Sequence, residues 1–225
     1  MHTRILAWNG CNNVRDLGGL RTRDGRTTRF GVIVRSDTPS RLTTAGWSAL
    51  DAYGIRTIIT LRTHGMQENE LNVTPPSPDI VTVQAAIEDV MDKEFVQQWV
   101  STDLWSTPLY YKDALQRWPE RHAAVISAIA QAKPGGILFH CVRGHDRTGI
   151  MALLLLALAG VAPDEIVSDY ALSLDPERDE LLARLNTSVR DVILGTLEGL
   201  DVERYLLRGG ASPEELAVIR KRLLG

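Results

Sequence analysis

Apolar positions along the chain fall into two regimes. Up to about residue 140, short apolar runs are separated by polar stretches rich in glycine and proline. Beyond Arg147, apolar residues recur at helical spacing almost without a break. In the first regime, Gly31-Val32-Ile33-Val34-Arg35 has the β-branched content of a strand. Residues 43–53 read as a helix with a threonine cap at its start and Gly54 at its end. Residues 55–61 (IRTIITL) read as a buried strand, and residues 80–83 as another. A Pro-Gly-Gly turn leads into a last strand over residues 135–140. Residues 148–158 are apolar all round, as in a helix at the centre of a domain. Gly160 stops that helix and Pro163 opens the next. Ser212-Pro213-Glu214-Glu215 is a capping box with proline at the first helical position. Strands alternating with helices, then helices alone, predict an α/β fold: a central, mostly parallel sheet flanked by helices, with a helical C-terminal part.

Residues 88–111 bring Phe95, Trp99, Trp105, Tyr110 and Tyr111 close together. The ordinary expectation is an amphipathic helix pair covering the core. The functional alternative is a helical lid or aromatic wall beside a substrate site. The run Thr74-Pro75-Pro76-Ser77-Pro78 reads as a loop, because apolar patterning resumes at once.

Charge and composition narrow the partners. The net charge of -3 gives no basic field for nucleic acid or an anionic membrane surface. The most apolar run, residues 150–159, is too short to span a bilayer. No signal peptide is visible after Met1, so a cytoplasmic location is expected, with secretion by another route left open. The two cysteines, Cys11 and Cys141, are expected to be free thiols.

Cys141 and Arg147 are separated by five residues, in the run His140-Cys141-Val142-Arg143-Gly144-His145-Asp146-Arg147-Thr148-Gly149. The spacing alone is a weak pattern. Its setting is stronger: an apolar strand ends at His140 and an apolar helix begins near Thr148. Open α/β sheets place ligands at such a strand-to-helix junction. Main-chain N–H groups of a tight loop form a nest for an anion, and the helix amino end adds positive potential. Gly144 permits a backbone conformation that a side chain would block. The same field favours the thiolate of Cys141, the nucleophilic form. Thr148 can donate its hydroxyl to that thiolate. Arg147 offers a planar fork for two phosphate oxygens. These residues predict phosphoryl transfer through a cysteinyl-phosphate, with no cofactor and no metal. Val142, Arg143, Gly144, His145 and Thr148 are the expected phosphate-binding positions. Arg143 and His145 are either charged rim residues or merely solvent-exposed. His140 is expected to orient the loop, and Cys11 to be structural.

The leaving oxygen needs a proton. Asp146, inside the loop, is the first candidate for general acid and then base. The alternatives for it are a helix N-cap or an ion-pair partner. Trp118-Pro119-Glu120 resembles the Trp-Pro-Asp acid loop of tyrosine phosphatases. However, Pro119 suits the first position of a helix over residues 119–132, which would make Glu120 an ordinary first-turn acid. Asp37 is a further candidate.

The loop resembles that of the protein tyrosine phosphatase superfamily, and one bacterial tyrosine or dual-specificity branch most closely. That branch is also matched by Asn13-Val14-Arg15-Asp16-Leu17-Gly18-Gly19, by Arg35-Ser36, by Leu61-Arg62 followed by Glu68 or Glu70, and by Asp169-Tyr170. The resemblance runs from about Asn13 to Leu224 and implies a single phosphatase domain over residues 1–225. It also implies a phosphatase fold and an acid supplied by Asp146. The expected substrate is a phosphotyrosine protein or another phosphomonoester. Two positions depart from the branch: His145 replaces a lysine associated with phosphoinositide activity, and Thr60 replaces an aspartate. A phosphoinositide or small-molecule phosphatase, a sulfurtransferase and a phosphate-binding pseudoenzyme are the other readings.

Overall fold

The computed structural model describes residues 3–225. Its strands are β1 (Arg15–Asp16), β2 (Ile33–Ser36), β3 (Ile55–His64), β4 (Val81–Asp89) and β5 (Gly136–His140). They form one sheet in the order β1-β2-β5-β3-β4. The edge strand β1 runs antiparallel to β2, and the other pairings are parallel. The helices are α1 (Thr44–Ala52), α2 (Lys93–Phe95), α3 (Tyr111–Arg117), α4 (Pro119–Ala130), α5 (Asp146–Leu158), α6 (Pro163–Ala171), α7 (Pro176–Arg184), α8 (Val189–Leu197), α9 (Val202–Arg208) and α10 (Pro213–Leu224). The expected α/β layering and helical C-terminal part are both present.

Strand alternation divides the core. In β5, Ile137 and Phe139 join a large cluster with α4, α5, α6, α9 and α10. Leu138 points the other way, to Val34, Ile58 and Leu50 of α1. Each fully buried leucine or isoleucine contributes about 1.5–3 kcal/mol, so β5 is fixed from both faces. α5 is buried along most of its length, which explains its lack of a polar face. Caps fall where the sequence places them. The Thr43 hydroxyl accepts from Gly46 N–H at 3.3 Å, and both halves of the Ser212–Glu215 capping box form.

Three elements differ from expectation. β3 and β4 run on to His64 and Asp89, because they pair with each other past the end of the apolar pattern. α5 begins at Asp146 rather than Thr148. The stretch over residues 88–111 is not a helix pair. After β4 come the single turn α2, a π-helical turn Val96–Val100, and 3-10 turns Asp103–Ser106 and Pro108–Tyr110. The Thr102 and Thr107 hydroxyls accept from Leu104 and Leu109 N–H groups, and Pro108 follows at once. Local side-chain bonds and a proline therefore win over helix propagation. The aromatics are still used in the core: Phe95, Tyr110 and Tyr111 are fully buried. Among the described residues, no helix is long and apolar enough to cross a membrane.

Candidate active site

β5 lies between β2 and β3, with His140 in register with Ser36 on one side and Thr60 on the other. The loop from Cys141 to His145 therefore leaves the middle of the sheet at its carboxyl edge. Gly144 has φ +71°, and a Cβ there would sit 2.5 Å from the Ser36 carbonyl oxygen. That position excludes other residues by contact as well as by conformation. Asn13 Nδ2 donates to Arg143 O at 3.0 Å, and Thr38 N donates to Val142 O at 3.2 Å. Arg35 Nη2 donates to Gly144 O at 2.8 Å. The loop carbonyls are thus turned to the scaffold. Among the described residues, the main-chain N–H groups of Val142 to Arg147 donate to no protein acceptor. Together with the amino end of α5 they make a nest for an anion.

Cys141 is a buried free thiol. The His140 ring beneath it is fully buried, and burial lowers its pKa to about 3. Its Nδ1 lies 3.2 Å from Cys141 O, a carbonyl that can only accept, so Nδ1 carries the hydrogen. Nε2 then accepts from the Thr60 hydroxyl at 2.9 Å. Thr60 in place of an aspartate thus supplies a neutral donor to a neutral ring. Thr148 Oγ1 is buried and has no partner.

Arg147 Nη1 donates to Leu61 O at 3.0 Å and to Glu68 Oε1 at 2.7 Å. Glu68 Oε2 accepts from Thr63 N–H at 2.8 Å. One edge of the guanidinium is thereby fixed, while Arg147 also lines a cavity. Burial opposes its charge, but Cys141, Glu88 and Glu68 outweigh that and hold the group above the ordinary arginine range.

Asp146 is the first residue of α5, and His145 occupies the cap position, so Asp146 is not the N-cap. Tyr170 Oη donates to Asp146 Oδ1 at 3.3 Å, and Arg143 Nη2 lies 3.4 Å from Oδ2. Burial raises the Asp146 carboxyl, against the pull of Arg143 and Arg178, so protonation is made easier. Tyr111 Oη donates to Asp146 O at 2.9 Å. Gly149 makes room for that tyrosine, since a Cβ there would sit 2.2 Å from the Tyr111 hydroxyl oxygen.

The rim differs from a simple ring of positive charge. Arg143 is exposed, but Asp175 takes its Nη1 at 2.9 Å. Burial, and then Arg143, lower His145 to about 4. At neutral pH His145 is an uncharged ring 3.5 Å from Asp175, and it does not supplement the positive field.

The other acids lie elsewhere. Glu120 is exposed at the start of α4, and Pro119 occupies the first turn there. Asp37 is buried and accepts from the N–H groups of Asn12 and Asn13, at 3.1 and 3.2 Å. It shapes the turn that carries Asn13. Burial and Asp37 push the Cys11 thiol up to about 12, which leaves it inert as a nucleophile near neutral pH.

A 170 Å³ cavity opens over Asp146 and Arg147, with Glu88, Trp105, Ser106, Tyr110 and Arg143 as its other walls. The turns after β4 therefore put two aromatics of the 88–111 stretch beside the loop. Glu88 was not foreseen. It lies five residues past the strand expected over residues 80–83, in the part of β4 that only its pairing with β3 extends. Asn13, Arg35 and Asp169 stood only as motif matches, and their anchoring contacts cross more than a hundred positions of sequence.

Comparison with known proteins fits this geometry. Residues 6–225 match the tyrosine phosphatase family. A Nostoc commune tyrosine-protein phosphatase is 36% identical over 144 residues, covering 63% of this chain and 48% of its own. A Cupriavidus necator protein, provisionally named a tyrosine-protein phosphatase, is 30% identical over 172 residues, covering 73% of this chain and 61% of its own. The Mycobacterium tuberculosis protein named triple specificity protein phosphatase PtpB is 28% identical over 210 residues, covering 80% of this chain and 73% of its own. The chain thus spans 61% and 48% of the lengths of the Cupriavidus and Nostoc relatives. The family match runs through the sheet, the cysteine loop and every helix after it, and the chain belongs to the tyrosine phosphatase family.

Proposed function

We propose that the protein is a cysteine-dependent protein tyrosine phosphatase, acting as one domain through a cysteinyl-phosphate on Cys141. The observation that carries this is the nest itself: a buried thiol, N–H groups without acceptors, and an arginine held along one edge only. In the first step Cys141 Sγ bonds to phosphorus while the bond to the leaving oxygen breaks. Asp146 gives that oxygen its proton. In the second step water attacks phosphorus, the S–P bond breaks and Asp146 takes the proton. Main-chain groups of Val142, Arg143, Gly144 and His145, with Arg147, carry the spread negative charge. Thr148 Oγ1, buried and unpartnered, is suited to donate to the departing thiolate. His140 holds the Cys141 carbonyl rather than moving protons. The reaction needs a reduced Cys141, which suits a reducing compartment such as the cytoplasm.

The relatives' names support phosphotyrosine as substrate, and the PtpB name supports broader specificity. The neutral His145 weighs against a highly charged phosphoinositide headgroup. Cys141→Ser should abolish hydrolysis of an aryl phosphate while leaving the melting curve intact. Turnover that survives this change rules the mechanism out. In the same assay, Asp146→Asn should slow poor leaving groups far more than activated ones. Equal slowing would remove Asp146 from the acid role.

A further inference from the structure

Glu88 is a fully buried carboxyl that the mechanism above does not use. It stands near the carboxyl end of β4, in register with Thr63 of β3. Its side chain lines the same cavity as Asp146 and Arg147. Tyr110 Oη donates to Oε1 at 2.5 Å, and Thr63 Oγ1 donates to Oε2 at 3.4 Å. The charged and hydrogen-bonding groups around it come from each neighbouring element. α5 supplies Arg147 and Asp146, and the turns supply Trp105 and Tyr110. β3 and the segment after it supply Thr63 and Glu68, with Glu68 already engaged by Arg147. Arg121 of α4 is turned to Asp89, at 2.7 Å, and not to Glu88.

A carboxylate here faces the anion that the nest is built to take. A dianionic phosphoryl group would share a confined cavity with Glu88 and Asp146, and Arg147 would have to serve them all. Like charges in a poorly solvated site cannot all stay ionised. We propose that Glu88 is a positioning residue that sets the pH range of phosphate binding: its neutral form leaves Arg147 to the phosphate, and its carboxylate competes for Arg147 and repels the anion. This rests on the phosphate-site reading given above. Burial also raises Glu88 to about 7, against the pull of Arg147, so the switch falls near neutrality. The sign follows. The form that binds the anion is protonated, so affinity is full below the transition and falls as pH rises through it.

The experiment is calorimetric binding of sulfate, a dianion at every pH used, to Cys141→Ser protein from mildly acidic to mildly alkaline pH. Without turnover and without the thiol, the readout is binding alone. Sulfate affinity should fall by up to about tenfold per pH unit above the transition. Adding Glu88→Gln should flatten that fall. Adding Tyr110→Phe removes a donor that favours the carboxylate, so the transition should move to higher pH. Should Glu88→Gln protein not fold, the Tyr110→Phe shift decides, and an unmoved transition overturns the idea. An unchanged slope in Glu88→Gln, or a slope that only Asp146→Asn removes, also overturns it. A loss of sulfate binding at every pH in all the proteins instead sinks the phosphate-site reading and this proposal with it.

Discussion

Two arginine–carboxylate clusters flank the loop, and they differ in one respect. On one side, Asp169 of α6 takes Arg4 and Arg15 on Oδ1 and Arg35 on Oδ2, the last at 2.6 Å. Both of its oxygens are occupied, and Arg15 also reaches Ser173 at 2.9 Å. Burial opposes the Asp169 charge, but Arg15, Arg35 and Arg4 outweigh it and hold the carboxyl far below its usual range. On the other side, Glu68 is also filled on both oxygens, by Thr63 N–H and by Arg147 Nη1, but the remaining nitrogens of the Arg147 guanidinium have no protein partner among the described residues. In the first cluster protein acceptors take both terminal nitrogens of Arg35, leaving only its buried Nε without a partner, and the output is mechanical: Arg35 carries its fixed position to the Gly144 carbonyl. The second is half closed: one edge of the fork is aimed by protein, and the proposed function gives the other edge to a phosphate. The same residue types thus make scaffold or site according to whether protein acceptors take both terminal nitrogens of the guanidinium, as for Arg35, or only one, as for Arg147.

The contrast can be broken from the scaffold side first. Asp169→Asn would leave three guanidinium groups facing a neutral amide. Losing one partner of a buried ionic cluster costs about 3–5 kcal/mol, so the denaturant midpoint should fall sharply. A stability unchanged from wild type would show that the cluster is not what holds the loop base. From the site side, Arg147→Lys keeps a charge opposite Glu68 but loses the fork. Turnover should fall about 10²- to 10³-fold, in the range for losing a transition-state donor, while the melting temperature barely moves. A large stability loss with normal turnover per folded molecule would reverse the assignment of the two clusters.

The smallest effect is a difference in pH response. Burial lowers His140 and His122 to about 3, so the unfolded chain binds their protons first as pH falls below the ordinary histidine value of about 6.5. Stability from these groups is therefore lost gradually from that point toward pH 3. Asp169, whose folded value is depressed, gives stability that is present above the ordinary aspartate value and lost only below about 4. Denaturant midpoints plotted against pH should decline in two stages, and Asp169→Asn should shrink the more acidic one, to which Asp175, Asp92 and Glu215 also contribute, without moving the other. A single transition in the wild type would contradict that separation.

Local signals carried the loop and its frame. The strand before Cys141 and the helix after Arg147 each declare themselves by unbroken apolar runs, because both are buried on all sides. Pro119 distinguished a helix start from an acid loop at Glu120 for the same reason: a proline's fixed φ and missing N–H act locally. Over residues 88–111 clustered aromatics suggest a core-covering helix pair; they do enter the core, but the Thr102 and Thr107 hydroxyls cap separate short turns. His145 is neither a charged rim residue nor simply solvent-exposed, because it is largely buried, which no property of the loop sequence reports.

What the sequence determined by itself is the cysteine loop: Cys141, Gly144, Asp146 and Arg147 lie within seven consecutive residues, so their spacing fixes their geometry once strand and helix form. Asp169 and Arg35 lie 134 positions apart, Glu68 and Arg147 lie 79 apart, and Glu88 and Tyr110 lie 22 apart. The crossings of the sheet bring the first two pairs to one edge, and the turns after β4 fold Tyr110 back onto Glu88. Whether a buried carboxylate ends as a strut, as the holder of Arg147 or as a titrating wall then depends on which donors packing leaves beside it. That is decided by tertiary structure, because desolvation and pairing are properties of the surroundings and not of the residue.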